Sequence, residues 1–192
     1  MKTYNVLMCG VGGQGIILAS KILSTGLIKA GYDVKMSEVH GMAQRGGSVT
    51  TQVRFGEKVF SPIIGIGQAD LLVSFEKMET ERWISYLSKS GKAIINDYEI
   101  PSAPILTGKV KYPENVIDDI KTEVDTISIA AEKTAVALGN LKTMNVVIVG
   151  ALIKALSLET ITDWHEVIMM CVKPAFYELN KRAFDAGIEL IA

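Results

Sequence analysis

The stretch that decides the fold is Tyr4-Asn5-Val6-Leu7-Met8-Cys9 running into Gly10-Val11-Gly12-Gly13-Gln14-Gly15. The first six residues form a short apolar run that meets a glycine cluster, the pattern of a buried strand ending in a tight turn. Beyond the glycines, Ile16, Ala19, Leu23 and Leu27 recur at helical spacing, Leu18 and Ile22 widen the stripe, and Gly31 supplies a C-terminal stop. Val34 to Ser37 then reads as a second short strand, completing a strand-helix-strand unit.

The glycines match the G-x-G-x-x-G spacing and lie between a strand and a helix, where its mechanism requires them. The first glycine allows the turn, the second lets a phosphate approach the backbone, and the third lets helix and strand pack closely. Amides at the helix start would then face an anion. Two readings stand: Gly10, Gly12, Gly13, Gln14 and Gly15 hold a nucleotide or other phosphate ligand, or the turn serves strand-helix packing or a subunit contact. In a dinucleotide site an acidic residue about 20 positions on meets a ribose hydroxyl. Glu38 stands near that place, although the segment after it is unlike a ribose-binding loop.

Further along, Val49, Thr51, Val53 and Phe55 alternate with Thr50, Gln52 and Arg54, predicting a half-buried strand with one wet face, turned into a hairpin at Gly56-Glu57. Leu71 to Phe75 and Ala93 to Asn96 repeat the buried-strand pattern. Between them, Glu79, Arg82, Trp83, Tyr86 and Leu87 suit a crossover helix ending at Gly91. A weaker strand at Ile105 to Val110, a helix opened by Pro113 and a strand at Asp125 to Ile129 continue the alternation. From Ala130 the pattern is helical, with Pro174 starting the last helix and Gly187 finishing it. The expected architecture is α/β: a Rossmann-like, doubly wound, mostly parallel sheet with an inserted antiparallel hairpin and a helical C-terminal layer.

A chain of 192 residues, 48% hydrophobic, is long enough for one substantial core, and a single domain over residues 1–192 is expected. Twenty basic and 21 acidic residues leave a net charge of -1, which speaks against a nucleic-acid partner. The only cysteines, Cys9 and Cys171, form neither a disulfide framework nor a metal cluster, and a reducing cytoplasm is expected. Met1 to Gly15 lacks the features of a secretory leader. Val146 to Ile153 is far shorter than the roughly 20 residues of a membrane span, so no membrane association is expected. The mean hydropathy of +0.27 accordingly points to a large core or a large partner surface. The apolar C-terminal helices, with Trp164 and the Met169-Met170-Cys171 patch, read as core rather than as that surface, and His165 as a surface helix residue without a partner.

The most unusual stretch is Ser37-Glu38-Val39-His40-Gly41-Met42-Ala43-Gln44-Arg45-Gly46-Gly47-Ser48. It would leave strand two at the edge where ligands gather in an open parallel sheet, so both loops should wall one crevice. The guanidinium fork of Arg45 suits a carboxylate or phosphate, and His40 can donate, accept or titrate. Alternatively Gly46 and Gly47 only make the bend, while Arg45 and His40 satisfy the loop's own polar groups.

Gly-Val-Gly-Gly-Gln-Gly followed by Glu-Val-His-Gly-Met-Ala-Gln-Arg-Gly-Gly-Ser-Val closely resembles the small (beta) subunit of indolepyruvate:ferredoxin oxidoreductases, in the gamma-domain family of 2-oxoacid:acceptor oxidoreductases. Pyruvate and 2-oxoglutarate relatives usually show Tyr-Gly-x-Glu-x-Arg-Gly-Gly in the second loop, whereas His40-Gly41-Met42-Ala43-Gln44-Arg45 resembles the indolepyruvate form. The resemblance implies a coenzyme A-dependent oxidative decarboxylation of an aryl 2-oxoacid, with electrons passed to ferredoxin. Thiamine diphosphate must supply the carbanion chemistry. No Gly-Asp-Gly start to a thiamine diphosphate and magnesium motif is present, and two cysteines cannot hold a 4Fe-4S cluster. Those cofactors are therefore expected on a large partner subunit, with coenzyme A as co-substrate and no cofactor or metal held by this chain alone. His40, Gln44, Arg45, Gly46 and Gly47 are the residues expected to reach the partner's active site or a coenzyme A phosphate. No residue is assigned a catalytic proton transfer. A pyruvate- or 2-oxoglutarate-type gamma subunit and a stand-alone dinucleotide-binding protein remain the alternatives.

Overall fold

A computed structural model describes residues 3–41 and 46–191, with the backbone but not the side chain of His40. The strands are β1 (Tyr4–Val11), β2 (Asp33–His40), β3 (Ser48–Gly56), β4 (Ala69–Ser74), β5 (Leu87–Asn96) and β6 (Asp125–Ile129). The helices are α1 (Ile16–Lys29), α2 (Lys77–Trp83), α3 (Ala103–Leu106), α4 (Val116–Glu123), α5 (Ala131–Ala137), α6 (Met144–Ala155), α7 (Trp164–Cys171) and α8 (Tyr177–Glu189). Among the described residues the strands form one sheet in the order β2-β3-β1-β4-β5-β6. The β1–β4, β4–β5 and β5–β6 pairs are parallel, whereas β3 runs antiparallel to both its neighbours.

The expected α/β architecture is present, with its inserted hairpin at a different place. The hairpin is β2–β3, closed through the second loop, and β3 lies between β2 and β1 instead of folding back at Gly56. The alternation in β3 also does not mark a wet face, because Thr50 (2% exposed) and Gln52 (8%) are buried. The reason is a roof: residues 57–68 cross that face, Ile64 packs on Leu7, Cys9 and Leu72, and the Ile64 amide donates to Gln52 Oε1. Polar residues under a roof need partners, and the roof's backbone supplies one.

Helices cover both faces of the sheet. Val6 and Met8 join the large cluster with α1, α6, α7 and α8, while Leu7, Cys9 and Ala93 face the smaller clusters beneath Trp83, Ile84 and α4. The helix after β4 ends earlier than its pattern suggests: α2 gives way to a 3-10 turn at Ile84–Tyr86, and Gly91 lies inside β5. A Cβ at Gly91 would stand 2.8 Å from Ala69 O, so close strand approach, not a helix stop, fixes that glycine. Ile105 to Val110 is not a strand. Pro104 presets helical backbone in the single turn α3, Gly108 reverses the chain at φ 71°, and Leu106 and Val110 remain exposed. Pro113 stands three residues before α4, which starts from Asn115 at φ 60°.

The C-terminal third is helical as expected, and Pro174 opens a 3-10 turn leading into α8. Gly187 does not end that helix; it packs against Gly150 of α6, where a Cβ would come within 2.0 Å of Val147 O. Trp164 is core, but Met169 and Met170 are 53% and 61% exposed and so do not belong to it. His165 also has a partner, its Nε2 lying 2.6 Å from Asp185 Oδ1. No helix among the described residues is long and apolar enough to cross a membrane.

Candidate functional site

The glycine loop sits at the end of β1 and is closed by its own glutamine. Gln14 Oε1 accepts the Val11 amide at 2.7 Å, and Gln14 Nε2 donates to Phe75 O at 2.8 Å, fastening β1 to the exit of β4. Gly10 makes room for this clamp, since a Cβ there would meet Gln14 Oε1 at 2.6 Å and Phe75 Cβ at 2.8 Å. Gly15 caps α1 at φ 79°. The Gly12 and Gln14 amides are engaged with Gly47 O and Val11 O. Among the described residues those of Gly13 and Gly15 have no acceptor, and the first turn of α1 has no intrahelical one. An anion arriving at this helix start therefore meets Gly13, Gly15 and the first-turn amides, rather than the whole loop.

The second loop is anchored beside the first. Gly12 N–H donates to Gly47 O at 2.8 Å, and Gly41 N–H donates to Ser48 O at 2.9 Å, closing the loop's neck. Ser48 Oγ donates to the carboxylate of Glu79, which is 3% exposed and also faces Arg82. Gly46, at φ 77°, and Gly47 lie at this neck, and the His40 backbone ends β2 opposite Val49. Gln44 and Arg45 lie outside the described residues. Glu38 pairs with Thr51 in the hairpin, which puts β3 between it and β1. Two strand spacings, about 10 Å, thus separate Glu38 from the glycine strand, unlike a ribose-binding acid on a neighbouring strand.

An open cleft of about 680 Å³ borders the glycine loop, lined also by Tyr98, Ile100, Asn140–Lys142, Met144 and Asn145. These residues carried no site signal in the sequence, because they converge only after β5 and α6 are placed against α1. Asn145 is 5% exposed; its Nδ2 donates to Gly15 O at 3.2 Å, while its Oδ1 has no hydrogen-bond partner among the described residues. A buried polar atom left so costs about 1–3 kcal/mol. Tyr98 and Ile100 are held by Glu76 and Lys77. The Glu76 carboxylate, fully buried, accepts the amides of Glu79 at 3.0 Å and Ile100 at 3.3 Å together with the Tyr112 hydroxyl, and Lys77 N–H donates to Tyr98 O at 3.1 Å. Burial, then the bond to Glu76, pushes the Tyr112 phenol above its ordinary range. Burial works against the Lys77 ammonium, yet contacts with Glu99 and Asp97 raise it, so it stays charged. A second, mainly apolar pocket of about 340 Å³, lined by Leu18, Cys171, Phe176 and Leu179, meets the cleft at Asn140 and Lys142.

Cys9 lies against Ser74 and Glu79 on one face of the sheet, and burial pushes its thiol up to about 12. Cys171 lies on the other face, against Thr25 of α1. Among the described residues no group of three or more His, Cys, Asp or Glu side chains is placed to hold a metal ion.

Residues 5–190 match the family model described as pyruvate ferredoxin/flavodoxin oxidoreductase. The indolepyruvate oxidoreductase subunit IorB of Pyrococcus horikoshii is 41% identical, over 98% of this chain and 96% of its own. The crystal structure of pyruvate oxidoreductase subunit PORC from Thermotoga maritima shares the fold at TM-score 0.75 and 21% identity, covering 98% of this chain and 97% of that one. A 2-oxoglutarate:ferredoxin oxidoreductase from Magnetococcus marinus, with 2-oxoglutarate, coenzyme A and succinyl-CoA bound, also superposes at TM-score 0.75 and 20% identity. There the likeness spans 99% of this chain but 31% of the longer one, so the same fold occurs both as a separate subunit and as part of a larger polypeptide. With the family model matched almost end to end and a relative of that identity along its length, the chain belongs to the pyruvate ferredoxin/flavodoxin oxidoreductase family.

Proposed function

We propose that this chain, a single domain from end to end, is the small non-redox subunit of an indolepyruvate-type 2-oxoacid:ferredoxin oxidoreductase. Its complex decarboxylates an aryl 2-oxoacid, transfers the acyl group to coenzyme A and reduces ferredoxin. The observation that carries this reading is the hydrogen bond from Gly12 to Gly47, which makes one surface of the two loops whose sequences resemble that subunit type. The name of the Pyrococcus relative supports the indolepyruvate assignment. The Magnetococcus structure, with coenzyme A bound, supports coenzyme A as co-substrate.

In this reading thiamine diphosphate with magnesium and 4Fe-4S clusters belong to a large partner subunit, where thiamine diphosphate supplies carbanion stabilisation. This chain contributes binding and orientation. The free amides of Gly13, Gly15 and the first turn of α1 take a coenzyme A phosphate. His40, Gln44 and Arg45 are assigned, on the family resemblance, to the partner's active site or a coenzyme A phosphate, Arg45 by pairing with a carboxylate or phosphate.

The test is reconstitution with the large subunit and assay against indolepyruvate, phenylpyruvate, pyruvate and 2-oxoglutarate with ferredoxin. Activity requiring both polypeptides, fastest with an aryl substrate, is expected, and Arg45→Ala should lower turnover or raise KM for coenzyme A about tenfold. Turnover by the large subunit alone at the full rate would remove the chain from the reaction. Low-micromolar binding of NAD, NADP or FAD by the isolated chain would instead support a dinucleotide-binding protein.

A further inference from the structure

Two buried carboxylates three residues apart, Glu76 and Glu79, fasten different segments at the ligand edge from one end of α2. Glu76 caps the helix and holds Ile100 and Tyr112. The Glu79 carboxylate accepts the Ser48 hydroxyl and faces Arg82 Nε at 3.4 Å, while the Arg82 side chain is more than half exposed. Packing does not account for Glu79. A buried carboxylate with so exposed a counter-ion is costly, and an apolar residue in such a place is often neutral or stabilising. What an apolar residue cannot do is hold Ser48. That serine is where the limb returning from the second loop is fixed. Its carbonyl receives the Gly41 amide at 2.9 Å, and Gly41 permits the approach, since a Cβ there would stand 3.0 Å from the same oxygen. Its hydroxyl also accepts Trp83 Nε1 at 3.5 Å. The two residues before it, Gly46 and Gly47, bring no side chain to anchor. Among the described residues, the side chains that grip this limb from outside the hairpin therefore come from α2.

We propose that Glu79 is a positioning residue for the loop that carries His40, Gln44 and Arg45. Acting through Ser48, it fixes the limb that returns into β3 before any partner binds, so the ordering of that limb is met on folding and not on association. The carboxylate makes the latch strong, because a hydrogen bond to an ionised acceptor is roughly twice as strong as a neutral one. Cys9 Sγ, 3.7 Å from the Glu79 carbonyl, ties the same turn of α2 to β1, so the latch is anchored to the strand that bears the glycine turn. This inference rests on the reading that the second loop serves the partner's reacting centre.

Trypsin reads the latch in the isolated full chain, because the Arg45–Gly46 bond lies just before the held limb. Ser48→Ala and Glu79→Leu should be cut there roughly tenfold faster than the wild type, the effect of losing one hydrogen bond to a charged group. Ser48→Thr and Glu79→Gln, which keep a hydroxyl and an acceptor, should stay within about threefold of the wild type. In the reconstituted complex the first two changes should lower kcat about tenfold, and the conservative pair should recover it. Thermal melts of each variant separate this effect from loss of fold, and Ser48→Ala, which removes one oxygen, carries the test alone if Glu79→Leu does not fold. Cleavage of Ser48→Ala at the wild-type rate overturns the latch. Faster cleavage with kcat unchanged overturns the positioning role while the complex still requires this chain. Full turnover by the large subunit alone would instead refute the proposed function, whatever the protease result.

Discussion

Replacing Gly150 by alanine tests the packing on which the cleft depends. Gly150 and Gly187 let α6 and α8 cross main chain to main chain, and a Cβ at Gly150 would lie 2.1 Å from Phe184 O, 2.9 Å from Gly187 Cα and 2.9 Å from Ile188 N. Ordinary contact begins near 3.4 Å, so the helices must part by 3.4 minus 2.1, or 1.3 Å. All the atoms met are backbone, which no rotamer change can move aside. Helix propensity favours alanine by about 1 kcal/mol, but overpacking at the upper end of its range, about 3 kcal/mol or more, outweighs it. For a chain of this size a net loss of about 2–3 kcal/mol lowers Tm by roughly 4–12 °C. Because α6 also carries Asn145 on the cleft wall, separation of the helices should weaken coenzyme A use along with stability. Thermal melts read the first effect and KM for coenzyme A the second. A Tm within about 2 °C of wild type would refute the close crossing.

Gln14→Ala should leave the Val11 amide without its acceptor and remove one of two donors to Phe75 O, costing about 1–3 kcal/mol in urea titrations. Unchanged stability would show that the clamp is not made in solution. The Cys9 thiol, raised from 9.0 to about 12 first by burial, keeps its proton in the folded chain after the unfolded chain has lost it. Its contribution is full below about pH 9 and is lost as pH rises toward 12, so chemical denaturation should show stability falling over that window, with a smaller slope in Cys9→Ala. Finally, an aromatic disulfide reagent should titrate one thiol in the native isolated chain, the half-exposed Cys171, and a second only on unfolding. Two fast thiols would contradict the burial of Cys9.

Local signals were sufficient for β1, its glycine turn and α1, because alternation of strand, tight turn and helical stripe is contained within thirty residues of chain. They were insufficient for β3. An alternating strand reads as half-wet, and nothing nearby announces that residues 57–68 will cover it and that Gln52 will bond to their backbone. Ile105 to Val110 looked like a strand by composition, yet Pro104 and the positive φ of Gly108 decided its backbone. The site divides the same way. Its glycines and His40 to Gly47 announce themselves by residue type and spacing. Glu76, Glu79 and Asn145 are ordinary polar residues whose meaning comes from burial and from what they touch, which arises only when distant segments meet.

The reversed direction of β3 has a consequence for how this family can vary. Had β3 run parallel to β1, as β4 does on the other side, chain would leave the sheet beside the glycine turn; instead it enters there, and the entering carbonyl of Gly47 reaches the Gly12 amide. With Gly41 and Ser48 joined just below, whatever is inserted between these two residues hangs from a stapled base. The glycine turn next door is held by Gln14, from outside that segment, and by the carbonyl of Gly47.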